Sequence, residues 1–157
     1  MNVELLTIGK TKTRFVSEGM DEYLKRLKRL LPFNLTEVPD VKNASKLSQE
    51  EQKEAEGAIL LGKINPGDHL VLLDERGKEY TSRGYAEKLQ QLMATGKKKL
   101  VMVIGGPYGF SKDMYDRADE LLSLSKMTFN HEMVRLFIIE QTYRAMTILK
   151  GQPYHHY

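Results

Sequence analysis

The sequence predicts an α/β fold in which a mostly parallel sheet is covered by helices on both sides, in a single domain over residues 1–157. Three observations carry that prediction. Short apolar runs alternate with longer stretches of helical periodicity along the whole chain. The runs at 3–8 (VELLTI), 69–73 (HLVLL) and 100–104 (LVMVI) are nearly continuous in apolar character, as strands buried on both faces must be. No linker, repeat or low-complexity tract interrupts the chain.

The elements follow in order. The first strand, 3–8, ends at Gly9. Residues 14–31 set Phe15, Val16, Met20, Tyr23, Leu24, Leu27 and Leu30 at helical spacing, with Thr13 or Ser17 as an early cap. Pro32, which cannot continue a helix, stops it. FNLTEV at 33–38 alternates as a strand and ends at Pro39. Residues 40–47 are polar and turn-rich. Ser48 and Glu51 form an S-x-x-E capping box for a helix to about Leu61, and Pro66-Gly67 marks a turn.

The third strand, 69–73, is followed by a polar turn, Asp74-Glu75-Arg76-Gly77-Lys78. Thr81 or Ser82 caps a helix with Tyr85, Ala86, Leu89, Leu92 and Met93 on one face, and Gly96 ends it. The fourth strand, 100–104, runs directly into Gly105-Gly106-Pro107-Tyr108-Gly109-Phe110. Ser111 caps a helix predicted to reach about Leu122, with Asp113 placed favourably in its first turn. A short segment, 124–129, leads to the last helix, 132–150, which Gly151 and Pro153 close.

Composition narrows the function. Of 157 residues, 41% are hydrophobic and 29% charged, the balance of an ordinary globular protein. There is no cysteine, which excludes disulfides, thiolate metal ligands and a Cys nucleophile. No apolar run approaches the ~18 residues of a membrane span. Residues 1–10 show neither a basic leader nor a small-residue cleavage site, so a cytoplasmic location is expected. The net charge is only +3. Lys10, Lys12, Arg14, Lys25, Arg26, Lys28 and Arg29 nevertheless outnumber Glu18, Asp21 and Glu22 within residues 10–29, and Lys97-Lys98-Lys99 forms a second cluster. These are either solvated helix faces or a surface that meets phosphates.

Two regions stand out. At the strand-to-glycine junction 101–110 (VMVIGGPYGF), adjacent glycines at the carboxyl end of a strand would let a ligand approach the backbone. The pattern is neither G-x-G-x-x-G nor a Walker loop, and a tight structural turn explains it equally well. In the C-terminal third, apolar residues surround most of the last helix, so it needs cover on more than one side, for which a second subunit is the natural source. Glu140 and Arg144 stand four apart and can simply pair. The tail Gln152-Pro153-Tyr154-His155-His156-Tyr157 is a frayed terminus or a supplier of reactive groups. His131-Glu132 is not a zinc H-E-x-x-H motif, because residue 135 is Arg. No metal site is expected, and no Ser-His-Asp triad can be read.

Taken together, Gly-Gly-x-x-Gly after VMVI, Ser-Leu-Ser-Lys-Met-Thr-Phe at 123–129, His131, Arg135, Glu140-Gln141-x-Tyr143-Arg144-Ala145 and Pro153-Tyr154-His155 resemble the ribosomal RNA large subunit methyltransferase H family of the SPOUT superfamily. The resemblance spans the chain from Leu6-x-Ile8-Gly9-Lys10 to the tail. It departs at Asn130, where the family usually has Pro, and in the ending His155-His156-Tyr157. It implies methyl transfer from S-adenosylmethionine to N3 of a pseudouridine in helix 69 of 23S ribosomal RNA. It also implies a homodimer and a C-terminal trefoil knot, although general connectivity rules favour an unknotted sheet. The cofactor contacts it implies are Leu73, Gly105, Leu124, Ser125, Lys126, Met127, Thr128 and Phe129.

The chemistry then needs the methyl carbon and N3 aligned and the N3 proton removed. Tyr154 and His155 are the candidate proton-handling groups, and Arg144 would steady negative charge on the ring or a phosphate. His131 and Arg135 rank second. The rival classes are a non-catalytic RNA- or ribosome-binding module, which leaves the glycine loop unexplained, and an α/β enzyme acting on a small nucleotide.

Overall fold

The computed structural model describes residues 1–156; Tyr157, the last residue of the tail, lies outside the described residues. Five strands form one fully parallel sheet in the order β2-β1-β4-β3-β5. They are β1 (Asn2–Ile8), β2 (Phe33–Val38), β3 (His69–Glu79), β4 (Lys99–Ile104) and β5 (Glu120–Ser123). The central strand β4 is buried from Leu100 to Ile104. Alternate side chains serve opposite faces, as pleating requires. Val3, Leu5, Leu100 and Met102 join one core with α1 (Arg14–Leu27), α3 (Ser82–Ala94) and α5 (His131–Leu149). Leu6, Ile8, Val101 and Val103 join the other with α2 (Gln49–Leu61) and α4 (Lys112–Arg117).

Local signals place several elements where the sequence predicts them. At α2 both capping-box bonds form: Glu51 N–H donates to Ser48 Oγ (3.1 Å) and Ser48 N–H to Glu51 Oε1 (3.0 Å). Thr81 caps α3 by accepting from Gly84 N–H at 3.0 Å. The first helix is shorter than predicted, because Leu31 precedes Pro32 and is disfavoured in helical geometry. The chain turns through 28–31 before β2. Thr13 sits at the N-cap of α1 without a side-chain cap bond. Instead Glu132, from the start of α5, accepts from Thr13 N–H (2.9 Å) and Lys12 N–H (3.2 Å).

Two predictions are corrected. Residues 74–78 are not a turn; β3 continues through them to Glu79, and its pairing with β5 shifts register between Leu73 and Lys78. Gly77 permits this, since a Cβ there would lie 2.5 Å from the Leu121 carbonyl carbon. The helix after Ser111 does not reach Leu122; it stops at Arg117 and β5 follows. Polar ties draw the chain out of the helix. Arg117 donates to the carbonyls of Asn65 (3.0 Å) and Asp68 (2.9 Å), and the Asp119 carboxylate accepts from Leu70 N–H at 2.8 Å.

Part of the apolar girth of α5 is covered within the chain, while Leu136, Phe137, Ile148 and Leu149 stay half-buried. Helices α1 and α3 flank it, and no residue from Glu132 to Leu149 is fully exposed in the single chain. Ile138 and Ile139 are completely buried without a second subunit.

Candidate active site

At the carboxyl ends of β4 and β5, beside the point where β3 parts from β4 after Leu73, lies a cavity of about 860 Å³, the position at which open α/β sheets bind ligands. Ile104, Leu122 and Val134 give it an apolar floor, and three segments, 73–76, 105–110 and 123–131, wall it. Seven residues singled out for cofactor contact, Leu73, Gly105, Leu124, Ser125, Met127, Thr128 and Phe129, line this cavity. Lys126 is exposed and is not among the lining residues. The third wall is held by its own bonds. Ser123 Oγ donates to Ser125 O (2.8 Å), Met127 N–H donates to Ser125 Oγ (3.0 Å), and Phe129 packs edge-on to Phe137 with centroids 5.1 Å apart.

The glycine loop is tight for a reason the sequence did not disclose. A Cβ on Gly105 would stand 3.1 Å from the Phe110 ring, and one on Gly106 only 2.5 Å from both carboxylate oxygens of Glu56. The missing side chains thus let the loop pack down on Phe110 and α2; the space they leave open is behind the loop. Gly109 closes the turn at φ +86°, and its N–H donates to Gly106 O at 3.2 Å. Glu56 is buried, which pushes its carboxyl above the ordinary range. Gln52 donates to its Oε2 at 3.2 Å, while Oε1 has no partner among the described residues.

One rim of the cavity carries a polar cluster that sequence reasoning missed. The Tyr115 hydroxyl donates to Asp74, and Arg76 Nη2 donates to the Tyr115 oxygen. The guanidinium lies 4.9 Å over the Tyr115 ring. Burial pushes the Asp74 carboxyl up, but the bonds from Tyr115 and Arg76 outweigh it and hold the group below its ordinary value. The signal present in the sequence was a D-E-R run directly after an apolar strand.

Arg144, Tyr154 and His155 do not line the cavity. They gather towards the other end of α5, ten residues beyond Val134, or ~15 Å along a helix axis. Arg144 Nη2 donates to Glu140 Oε1 (2.8 Å), so the expected pair forms, and Nη1 lies 3.0 Å from His155 Nδ1. A guanidinium can only donate, so Nδ1 must accept and the imidazole proton sits on Nε2. The Tyr154 hydroxyl donates to Glu140 Oε1 (2.8 Å) and stands 3.1 Å from that of Tyr23. Its ring packs on Tyr143 and beneath Arg144. Burial, with Tyr23 and Glu140 beside it, drives the Tyr154 phenol well above its ordinary range. In this arrangement it is a hydrogen-bond donor and not a base. The tail up to His155 is therefore docked and not frayed.

The second-ranked residues separate. His131 borders the cavity. Arg135 is 1% exposed and donates to Ile8 O (2.8 Å), Gly9 O (2.9 Å), Thr11 Oγ1 (2.8 Å) and Glu37 Oε2 (3.0 Å). It ties α5 to β1 and β2 and cannot reach a substrate. On the basic face, Arg14 and Arg26 pair with Glu18 and Glu22, whereas Lys25, Lys28 and Arg29 are exposed. Among the described residues no three His, Asp or Glu side chains form a metal-holding group, and no helix is long and apolar enough to cross a membrane.

A family model described as "Predicted SPOUT methyltransferase" matches residues 1–155. The chain is 52% identical over 156 residues to the ribosomal RNA large subunit methyltransferase H of Parabacteroides distasonis, and 51% and 49% identical to those of Flavobacterium johnsoniae and Porphyromonas gingivalis. Each match covers 99% of both chains.

Proposed function

Because the chain belongs to the ribosomal RNA large subunit methyltransferase H family of SPOUT methyltransferases, we propose that it methylates N3 of a pseudouridine in helix 69 of 23S ribosomal RNA. It does so with S-adenosylmethionine, in the cytoplasm, on the assembled ribosome. The observation that carries this reading is the cavity at the ends of β4 and β5 beside residues 73–76 of β3, whose size and make-up fit the cofactor. Its volume lies within the range of small-molecule sites, and its apolar floor with exposed loop backbone suits an adenine read by main-chain groups. When bound, the cofactor supplies an electrophilic methyl carbon on a sulfonium.

The remaining work falls to this chain's side chains. Leu122, Leu124 and Phe129 exclude water from the adenine recess. Arg144 steadies charge on the nucleobase or a flanking phosphate, Tyr154 donates a hydrogen bond, and His155 takes the N3 proton at Nδ1 once Arg144 has turned from it to the RNA. The ~15 Å between cavity and tail cluster supports a homodimer in which the tail of one subunit faces its partner's cavity. The trefoil knot belongs to the same proposal, since the three segments it would thread are those that wall the cavity. A non-catalytic RNA-binding module would use the exposed Lys25, Lys28 and Arg29 but would have no use for the cavity.

Calorimetry with S-adenosylmethionine, followed by transfer of labelled methyl to 70S ribosomes, 50S subunits and free rRNA, tests the proposal. Binding together with labelling of N3 on ribosomes is expected. Absence of binding overturns the cofactor reading, and binding without labelling overturns the substrate.

A further inference from the structure

We propose that Arg76, clamped by Asp74 and Tyr115, is the subsite that takes the α-carboxylate at the amino-acid end of the cofactor, an inference that rests on the cofactor reading above. The ligand has two unlike ends. The adenosine is flat and neutral and suits the apolar recess, whereas the amino-acid end carries separated charges and needs charged partners. Among the described residues that line the cavity, Arg76 is the only Lys or Arg, and the lining carboxylates, Asp74 and Glu75, lie on the same segment. The charged end of the ligand therefore belongs at that rim.

The guanidinium is fixed in advance. Nε lies 3.4 Å from Asp74 Oδ1, which also accepts from the Arg76 backbone N–H at 2.8 Å; Nη2 donates to Tyr115 and lies 3.5 Å from Asp74 Oδ2, and Cζ stands 4.9 Å from the Tyr115 ring centroid. None of these bonds uses Nη1. The Arg76 side chain is 67% exposed while that of Asp74 is 8% exposed, so the anchor is buried and the cation faces outward. An exposed ion pair adds little to stability, but a guanidinium held in one orientation loses less freedom when it takes a carboxylate. The adjacent Asp74 places negative charge beside it, which suits the ammonium of the same zwitterion.

Calorimetry on the full chain with two probes tests this. S-Adenosylhomocysteine has the amino-acid end; 5′-methylthioadenosine lacks it. Arg76→Gln is expected to weaken S-adenosylhomocysteine about tenfold and to leave 5′-methylthioadenosine unchanged, which also shows that the variant is folded. Tyr115→Phe should give a smaller loss confined to S-adenosylhomocysteine, because Tyr115 acts only through Arg76. Unchanged affinity of Arg76→Gln for S-adenosylhomocysteine, or an equal loss for both probes, overturns the subsite while the cofactor reading stands. Failure of the wild-type chain to bind either probe overturns both.

Discussion

Replacing Arg135 by Ala distinguishes a structural tie from a catalytic cation. The side chain is 1% exposed and makes four hydrogen bonds, to the carbonyls of Ile8 and Gly9, the Thr11 hydroxyl and the Glu37 carboxylate. Removing one partner of a buried ion pair costs about 3–5 kcal/mol. Glu37 is 26% exposed and can rehydrate, which favours the lower end of that range. For a chain of this size each kcal/mol moves the midpoint by about 2–4 °C, so the fall in Tm should be roughly 10 °C. Arg135→Lys keeps the charge but not the planar fork and should recover about half of it. Circular dichroism melts at one fixed protein concentration measure the shift, and methyl transfer assayed well below the variant's Tm should persist. A Tm within ~2 °C of wild type, accompanied by loss of methyl transfer, would refute the buried-tie argument and return Arg135 to the substrate.

The other predictions concern the loop, the α3–α5 contact, the tail and the assembly. Gly106→Ala drives a Cβ into the Glu56 carboxylate and Gly105→Val one into Phe110; each should cost about 1–3 kcal/mol by overpacking and weaken cofactor binding in calorimetry by displacing the loop. Burial pushes the Tyr85 phenol up to about 12, so its contribution of about 3 kcal/mol is complete below pH 10 and is lost as pH rises through 12; Tyr85→Phe should flatten the alkaline limb of a stability–pH curve. Deleting residues 154–157 should abolish methyl transfer to 70S ribosomes and leave cofactor affinity unchanged, with a small drop in Tm because Tyr154 packs on Tyr143 and Arg144. Light scattering at micromolar concentration should show a dimer. A charge at Ile138 or Ile139 would not report on it, since both are buried within one chain and the substitution would unfold the protein.

What was legible in the sequence was what neighbouring residues decide. The Ser48–Glu51 box, the Thr81 cap and the buried run before Gly105 each carry their cause within a few positions. What was not legible depends on distant partners. Residues 111–122 have an N-cap and helical composition at the start, yet their end is set by Arg117 reaching Asn65 and Asp68 and by Asp119 reaching Leu70. Residues 74–78 look like a turn because they are polar. β3 instead bulges through 74–77 between its pairings at Leu73 and at Lys78, both opposite Leu122 of β5, and Gly77 lets the Leu121 backbone come close. Likewise, apolar residues all round α5 signal burial but not what covers it; α1 and α3 do so here.

The site shows the same division. The glycine junction pointed to the cavity, and the resemblance supplied most of its third wall, but the Asp74–Arg76–Tyr115 cluster joins residues about forty positions apart, and the local D-E-R run gave no sign of Tyr115. At the tail, frayed terminus and source of reactive groups were opposed as alternatives. The contacts show why that opposition was too simple. The atoms that dock the tail are those the chemistry would need: Arg144 is balanced by Glu140, and the Nδ1 lone pair of His155 is taken by Arg144. A docked tail is thus also a tail whose proposed base is occupied and whose cation is neutralised. On the proposed mechanism, a competing anion such as an RNA phosphate or an ionised ring would draw Arg144 away and release Nδ1 to accept a proton. Order at the terminus and readiness for chemistry are therefore properties of one network, and a sequence that shows only residue types cannot separate them.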